Sequence, residues 1–150
     1  MAFIFFGAEE QGVRGSEFYL EQPLFPPAQT VACLNFDGVG VGEEIRVLAG
    51  LNFPKLWDYF DRANGRWVHR NCQPSQTANL GRPRLDAARF LKAGIPTLSF
   101  STGGEPEGGP PTYHTTRDRP EILNPEIMED LARITFRGLV ELAADDRPLK

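Results

Sequence analysis

The sequence has little of three features that separate broad classes of protein: long apolar runs, positive charge and cysteine. No apolar run approaches the roughly 18 residues that a membrane-spanning helix needs, so we expect no membrane span. The net charge of −4 argues against nucleic acid, and against an anionic membrane surface, as the main partner. The two cysteines, Cys33 and Cys72, do not indicate a compartment, and we interpret them as free buried thiols rather than a disulfide.

The first ten residues lack the pattern of a secretory signal. The segment "MAFIFFGAEE" has neither a charged n-region nor a small-residue cleavage site. What the chain does have is the size and apolar content of one globular domain, with 150 residues of which 41% are hydrophobic. We find no internal repeat, and no linker that would separate two domains.

Short apolar runs alternate with helical patterns along the chain. The apolar runs predict strands at residues 3–7, 31–37, 44–50 and 95–101, with a short edge strand at 66–70. Helical patterns cover residues 15–21, 53–64, 84–93 and 125–143. This alternation predicts an α/β sandwich with a largely parallel sheet.

Capping residues set the predicted helix ends. Asn52 and Asn124 are the predicted N-caps of the second and the last helix. Gly65 and Gly94 are expected to follow the last turns of the second and third helices. The last helix, which begins with Pro125, carries an apolar stripe of Met128, Leu131, Leu139 and Leu142.

Three chemically active spots follow apolar strands in this prediction: the pair Glu9–Glu10, then Asp37, and after a longer loop His114. The carboxyl ends of parallel strands form the edge of an α/β sheet where ligands bind. Two carboxylate positions and an imidazole suit a divalent cation, of which zinc fits best. The alternative is that the glutamates begin a solvated loop and that Asp37 caps a turn.

Four segments, taken in order, resemble a known family. The segments are "FIFFGAEEQGVRGSEFY", "VACLNFDGVG", "AGIPTLSF" and "YHTTRDRPE". They are similar to the co-catalytic dizinc aminopeptidases, an exopeptidase family that also includes glutamate carboxypeptidases. The resemblance runs from about residue 3 to the last helix. It implies a three-layer α/β/α sandwich with a mostly parallel mixed sheet, and peptide or aminoacyl substrates.

The resemblance also implies a role for each matching side chain. Glu9 is the general base, and Glu10 and His114 are ligands of one zinc ion. Asp37 is a ligand of a second zinc ion, so the complete enzyme holds two. Tyr113 polarises the scissile carbonyl. The implied reaction is hydrolysis of an N-terminal peptide bond by a water that the metal activates.

Other polar residues receive weaker assignments. Asp118 is expected to orient the loop or His114 without binding metal. Asp86 stands where many relatives carry Ser-Asp-His, and since that His is absent here, we assign it a structural role. His69 and Cys72 have the spacing of metal ligands but lack partners, so we interpret them as ordinary residues of an edge strand and a loop.

The family pattern requires five protein ligands, and two of them precede the glutamate pair by several tens of residues. The eight residues before Glu9 contain neither His nor Asp. We therefore expect residues 1–150 to be the C-terminal portion of one catalytic domain whose first strands and helix are missing. We expect this portion to be inactive alone, and to self-associate through an exposed sheet edge that includes Phe3, Ile4, Phe5 and Phe6.

Two other functions remain open at this point. One is a glutaminyl-cyclase-like enzyme that keeps a single zinc ion on a similar fold. The other is a non-catalytic, peptidase-like binding domain. Localisation is unknown from this chain, although relatives of the complete enzyme are mostly exported to the periplasm or the extracellular space.

Overall fold

A mixed sheet of four strands, flanked by helices, organises the chain. The computed structural model describes residues 1–77, 85–103, 112–146 and 149. The helices are α1 (Arg14–Glu21), α2 (Pro54–Trp67), α3 (Ala87–Lys92) and α4 (Pro125–Ala143). The strands are β1 (Cys33–Phe36), β2 (Ile45–Leu48), β3 (Cys72–Pro74) and β4 (Thr97–Thr102). Short 3₁₀ turns lie at Pro27–Gln29 and Pro120–Ile122.

The strand order within the described sheet is β1-β4-β2-β3. β1 and β4 are parallel, as are β2 and β3, whereas β2 and β4 are antiparallel. The predicted mostly parallel mixed sheet is confirmed. Because β1 and β4 run the same way, with Cys33 opposite Thr97 and Phe36 opposite Phe100, the loops that follow these two strands leave from the same edge.

Helices cover the sheet in two groups. Leu98 and Phe100 of β4 belong to a buried cluster with residues of β2, α2 and α4, and Phe60 of α2 packs edge-on against the Phe100 ring at 5.7 Å. Helix α3 packs against β1, β4 and α1. There Phe6, Tyr19 and Phe90 form a group of aromatic rings about 6 Å apart. The arrangement is the expected three-layer α/β/α sandwich.

The longest helix begins and ends where the sequence predicts. The Asn124 side chain accepts a hydrogen bond from the Glu126 N–H at 3.0 Å, and Pro125 is the first helical residue. The predicted stripe is only partly buried. Leu131 is in the core, together with Ile127 and Ile134, whereas Met128 is 40% exposed.

Helix α2 corrects three predictions. Its N-cap position is Phe53, because the Asn52 side chain instead bonds to the backbone of Thr77. The helix continues through Gly65 to Trp67, so residues 66–70 are not an edge strand; that strand is β3, at 72–74. The end is set by Asn64, whose backbone oxygen accepts from the N–H groups of Val68 and His69 and whose side chain pairs with the Arg70 backbone.

The prediction of a strand at 3–7 is wrong. Residues 1–8 pair with no strand among the described residues, and the Phe5 side chain is fully exposed. An apolar run becomes a strand only where a neighbouring backbone supplies hydrogen-bond partners. Within 31–37 the strand is limited to β1, which is half-buried rather than buried. Helix α3 begins at Ala87, and position 84 of the predicted helix lies outside the described residues.

The sheet edges bear on two further expectations. Cys33 and Cys72 lie on β1 and β3, at opposite edges of the described sheet, and both are free thiols.

The apolar ring of Phe36, in edge strand β1, is 46% exposed and borders an open groove lined by Val39, Met128 and Leu131. The predicted self-association named Phe3 to Phe6 as part of a sheet edge; among the described residues these form no strand, and Phe6 packs against Tyr19 and Phe90, while Phe3 and Phe5 are exposed. Self-association itself stays a prediction. None of the described helices is long and apolar enough to cross a membrane.

Candidate functional site

The turn at residues 8–13, here called the Glu9–Glu10 turn, is held by its own backbone. The Glu9 carbonyl accepts hydrogen bonds from the N–H groups of Gly12 at 3.0 Å and Val13 at 2.7 Å, and Ala8 O accepts from Arg14 N–H. Ala8 and Val13 both have left-handed backbone conformations, with φ of 55° and 54°. Val13 is buried nevertheless, which anchors the turn at the start of α1.

A side chain of helix α3 also stabilises the Glu9–Glu10 turn. Arg89 donates from Nη2 to the Gly12 carbonyl at 3.2 Å and forms an ion pair with Glu17 Oε1 at 3.3 Å. The Arg89 side chain is only 19% exposed, so these contacts are partly shielded from water. Glu9 and Glu10 are therefore positioned by α1 and α3, and not by a strand as the sequence predicted.

Asp37 follows β1 and is positioned by β4. The Asp37 N–H donates to the Phe100 carbonyl, and the Thr102 N–H donates to the Gly38 carbonyl, both at 3.1 Å. The buried Thr102 hydroxyl accepts from the Gly40 N–H at 2.6 Å. Asp37 thus leaves the sheet at the shared edge of β1 and β4, as predicted.

Glu10, Tyr113 and His114 contact one another directly. His114 Nε2 shares a hydrogen bond with Glu10 Oε1 at 2.5 Å, and the Tyr113 hydroxyl donates to the same oxygen at 3.1 Å. The two rings stack with centroids 3.7 Å apart. His114 has a left-handed φ of 57°, which turns its backbone at the end of the loop. The structure therefore brings together three side chains that the sequence singled out, while the roles predicted for them stay predictions.

Several carboxylates at this site repel one another. Burial raises the pKa of Glu9 above its ordinary value, and the charges of Asp37, Glu10 and Asp86 raise it further. Burial also raises the pKa of Asp37, followed by the charges of Asp86 and Glu10. The pKa of Glu10 is lowered instead, chiefly by its hydrogen bond to His114. Burial and the hydrogen bond to Glu10 raise the pKa of Tyr113.

Asp86, to which the sequence assigns a structural role, is a further acid of this group. It is 8% exposed, and its charge acts on both Glu9 and Asp37. Its position in the family's Ser-Asp-His stretch is the sequence signal that marks it, and its structural role stays a prediction. Asp118, by contrast, is exposed in the turn after His114, where its N–H donates to Thr115 O at 3.1 Å. Its predicted orienting role stays a prediction.

The set of donors for a cation is incomplete among the described residues. Glu10 and His114 converge on one point, and repulsion among the acids is what a cation would relieve. Within the described part of the chain, no three His, Cys, Asp or Glu side chains lie close enough together to hold a metal ion. The same finding applies to the His69–Cys72 spacing. Glu10 and His114 are thus two candidate donors that are hydrogen-bonded to each other, and the charge of Glu10 also acts on Asp37.

Solved structures of two aminopeptidases and a glutaminyl cyclase share this fold. The chain superposes on LapA aminopeptidase of Legionella pneumophila with a TM-score of 0.75 at 23% identity, covering 97% of this chain and 39% of that one. For BSAP, a zinc aminopeptidase from Bacillus subtilis, the TM-score is 0.74 at 24% identity, with 91% and 34% covered. Glutaminyl cyclase of Porphyromonas gingivalis gives 0.70 at 17% identity, with 93% and 50% covered.

The class defined by fold and acidic site is thus that of the zinc-peptidase-like α/β/α domains. The family model of Peptidase family M28 matches residues 1–138, and the chain belongs to that family. The predicted resemblance is confirmed. No curated protein matches the chain. The chain spans about 40% of the length of LapA.

Proposed function

We propose that this chain forms part of a zinc-dependent exopeptidase that removes N-terminal residues from peptides. The observation that carries the proposal is the convergence of His114 Nε2 and Glu10 Oε1, 2.5 Å apart, beside Glu9 and Asp37. A carboxylate and an imidazole at one point, next to a second carboxylate of raised pKa, supply both a metal ligand pair and a candidate base.

Each residue then has a defined task. Glu10 and His114 would hold one zinc ion, and Asp37 would hold a second. When bound, zinc supplies a Lewis acid that activates water and polarises the scissile carbonyl. Glu9 would accept the proton of the attacking water and deliver it to the leaving amine. Burial and the neighbouring acids raise its pKa, which makes it a stronger base than a free carboxylate. The Tyr113 hydroxyl donates to the developing oxyanion.

We further propose that the active enzyme uses ligands beyond the 150 residues of this chain. Two donors at one metal are fewer than the three protein ligands typical of catalytic zinc sites. The coverage of about 40% of LapA supports this view, since most of that structure has no counterpart here.

A single-zinc enzyme, as in a glutaminyl-cyclase-like reaction, is the second candidate. The observation that favours it is that Glu10 and His114 are hydrogen-bonded to each other, whereas Asp37 and Glu10 interact by charge repulsion. Zinc stoichiometry of the active protein separates the two, because the exopeptidase holds two ions and the alternative one. A peptidase-like domain without catalysis would show no zinc-dependent turnover of either substrate type.

The decisive experiment compares Glu9→Gln with Glu10→Gln in an active protein that contains this chain. Zinc content and hydrolysis of an aminoacyl p-nitroanilide are measured, with the N-acetylated substrate as the control for a free amino terminus. Glu9→Gln should retain zinc and lose about 10²-fold or more in turnover, as expected for loss of a general base. Glu10→Gln should lose zinc. The reverse pattern would exchange the two roles, and equal turnover of the acetylated substrate would exclude an aminopeptidase.

A further inference from the structure

The turn that carries Glu9 contains strained backbone. Val13 has a left-handed φ of 54°, a rare and unfavourable conformation for a β-branched residue, and Gly12 before it has a φ of 93°. Such a conformation persists only where surrounding contacts hold it. On the side of α1, it is held by burial of the Val13 side chain and by a hydrogen bond from the Ser16 hydroxyl to Val13 O at 3.1 Å. Arg89 adds a restraint from helix α3.

The Gly12–Val13 peptide unit joins Arg89 to Glu9. Its carbonyl oxygen accepts a hydrogen bond from Arg89 Nη2 at 3.2 Å, and its N–H, which belongs to Val13, donates to Glu9 O at 2.7 Å. Hydrogen bonds at the two ends of one peptide unit polarise and strengthen each other. Two consecutive hydrogen bonds therefore connect the Glu9 backbone to α3.

Arg89 leaves part of its hydrogen-bonding capacity unused to reach this turn. Its side chain is 19% exposed, and its Nε is buried without a hydrogen-bond partner among the described residues. Asp86, three residues earlier at the start of the same helix, has a buried Oδ1 that also lacks a partner there. Residues at this spacing are neighbours on a helix, so a bond between these two groups would satisfy both of them. The guanidinium instead points its Nη2 at Gly12 O and at Glu17 of α1, at a cost in stability that is typical of functional sites.

We propose that Arg89 is a positioning residue for the general base: it fixes the Glu9 backbone through the Gly12–Val13 peptide, and so sets the approach of the Glu9 carboxylate to the attacking water. The inference rests on the role proposed above for Glu9. Arg89 acts through the backbone of the turn, so its contribution is one of geometry. A small displacement of a reacting group lowers the rate steeply, and the effect of losing Arg89 should therefore appear in kcat more than in KM.

The test compares Arg89→Ala with Glu17→Gln in an active protein that contains this chain. Arg89→Ala removes both contacts of the guanidinium, whereas Glu17→Gln removes the ion pairs of Glu17 with Arg89 and Arg14 and keeps the bond to Gly12 O. For an aminoacyl p-nitroanilide, kcat and KM are measured at saturating zinc, together with zinc content and melting temperature. Arg89→Ala should lower kcat about 10-fold or more, with little change in KM or zinc content. Glu17→Gln should lower the melting temperature and leave kcat nearly unchanged.

Amide hydrogen exchange of Val13 in the 150-residue chain gives a second readout, which depends on neither zinc nor turnover. The exchange should accelerate in Arg89→Ala and stay slow in Glu17→Gln, because only the first variant loses the bond to the Gly12–Val13 peptide. Arg89→Lys keeps the positive charge and should give a kcat between those of Arg89→Ala and the parent. It replaces Arg89→Ala if that variant fails to fold.

The other outcomes count against the proposal. An unchanged kcat in Arg89→Ala, with normal turnover in the parent, would overturn the inference and leave the proposed function intact. Equal losses of kcat in Arg89→Ala and Glu17→Gln would also overturn it, because the cause would then be the packing of α1 against α3. A raised KM with normal kcat would assign Arg89 to substrate binding instead. A parent without zinc-dependent hydrolysis would overturn the proposed function, and this inference with it.

Discussion

His114 Nε2 lies 2.5 Å from Glu10 Oε1, although 104 residues separate the two side chains. Neither residue is in a helix or strand. Each belongs to a turn that contains a left-handed residue, Ala8 in one case and His114 itself in the other. Both side chains are more than half exposed, so the contact contributes little to stability.

Loss of His114 should weaken metal binding selectively. We expect the 150-residue chain to bind zinc weakly, since it supplies two ligands at one point, and His114→Ala to weaken that binding by at least about 10-fold. His69→Ala is a close control, because His69 is the other histidine of the chain and shares the left-handed conformation, with φ of 66°. Calorimetric titration with zinc measures both. Equal effects of the two variants would remove His114 from the ligand set.

The stability of the metal-free chain should depend on Asp37 in a defined direction. The pKa of Asp37 is raised above its ordinary 3.8 by burial and by neighbouring acids, so above pH 3.8 the folded state binds more protons than the unfolded state. Stability is therefore lost as pH rises through the interval between 3.8 and the raised pKa. Asp37→Asn should be more stable than the parent at pH 7, and the difference should vanish below pH 3.8.

Thermal unfolding at several pH values, without metal, measures this dependence. Glu10 acts in the opposite direction, because its pKa is lowered from 4.5 and its stabilisation is lost as pH falls through the lowered value. Asp118→Asn serves as the control for loss of one negative charge. A parent chain whose advantage over Asp37→Asn grows towards neutral pH would contradict the prediction.

Removal of Arg89 should loosen the Glu9–Glu10 turn. Arg89→Ala deletes the hydrogen bond to Gly12 O and the ion pair with Glu17, which together should cost about 1 kcal/mol. Amide hydrogen exchange of Val13, whose N–H donates to Glu9 O, should accelerate. Arg133→Ala, which breaks an exposed ion pair with Glu129 on α4, should leave that exchange rate unchanged. Protection at Val13 that survives Arg89→Ala would show that the turn holds itself.

Two helical glycines should respond oppositely to alanine. A Cβ at Gly138 of α4 would collide with the ring of Phe60, which is fully buried. Gly138→Ala should therefore destabilise the chain by about 1–3 kcal/mol through overpacking. A Cβ at Gly65 of α2 meets nothing within 4 Å, so Gly65→Ala should stabilise by up to about 1 kcal/mol. Chemical denaturation measures both, and a tolerant Gly138→Ala would mean that α2 and α4 can separate without loss.

The sequence predicted correctly those helix ends that are determined by residues next to them in the chain. Asn124 and Pro125 fix the start of α4 through one capping bond and one fixed dihedral angle, and the sequence contains both. The end of α2 was mispredicted because Asn64 closes it by bonding to Arg70, a contact that depends on tertiary packing. Residues 3–7 have the composition of a strand, but composition does not supply the neighbour that a strand needs.

The residues of the candidate site also divide into those that sequence signals mark and those whose surroundings are known only from the folded chain. Family motifs mark Glu9, Glu10 and His114, and a strand end also marks Asp37; of these, the structure brings Glu10 and His114 into contact. The sequence assigns Asp86 only a structural role, whereas its burial, and an Oδ1 without a hydrogen-bond partner among the described residues, are features of the folded chain. Those properties exist only after the chain has folded.

The buried core and the acidic site have no residue in common. The core consists of side chains from β2, β4, α2 and α4, such as Ile45, Phe60 and Ile134, whereas Glu10 and His114 lie in exposed turns. Selection on activity can therefore act on the turns while selection on folding acts on the core. Descendants of such a domain can lose, regain or replace their chemistry through a few surface substitutions, which is how one scaffold comes to serve several functions.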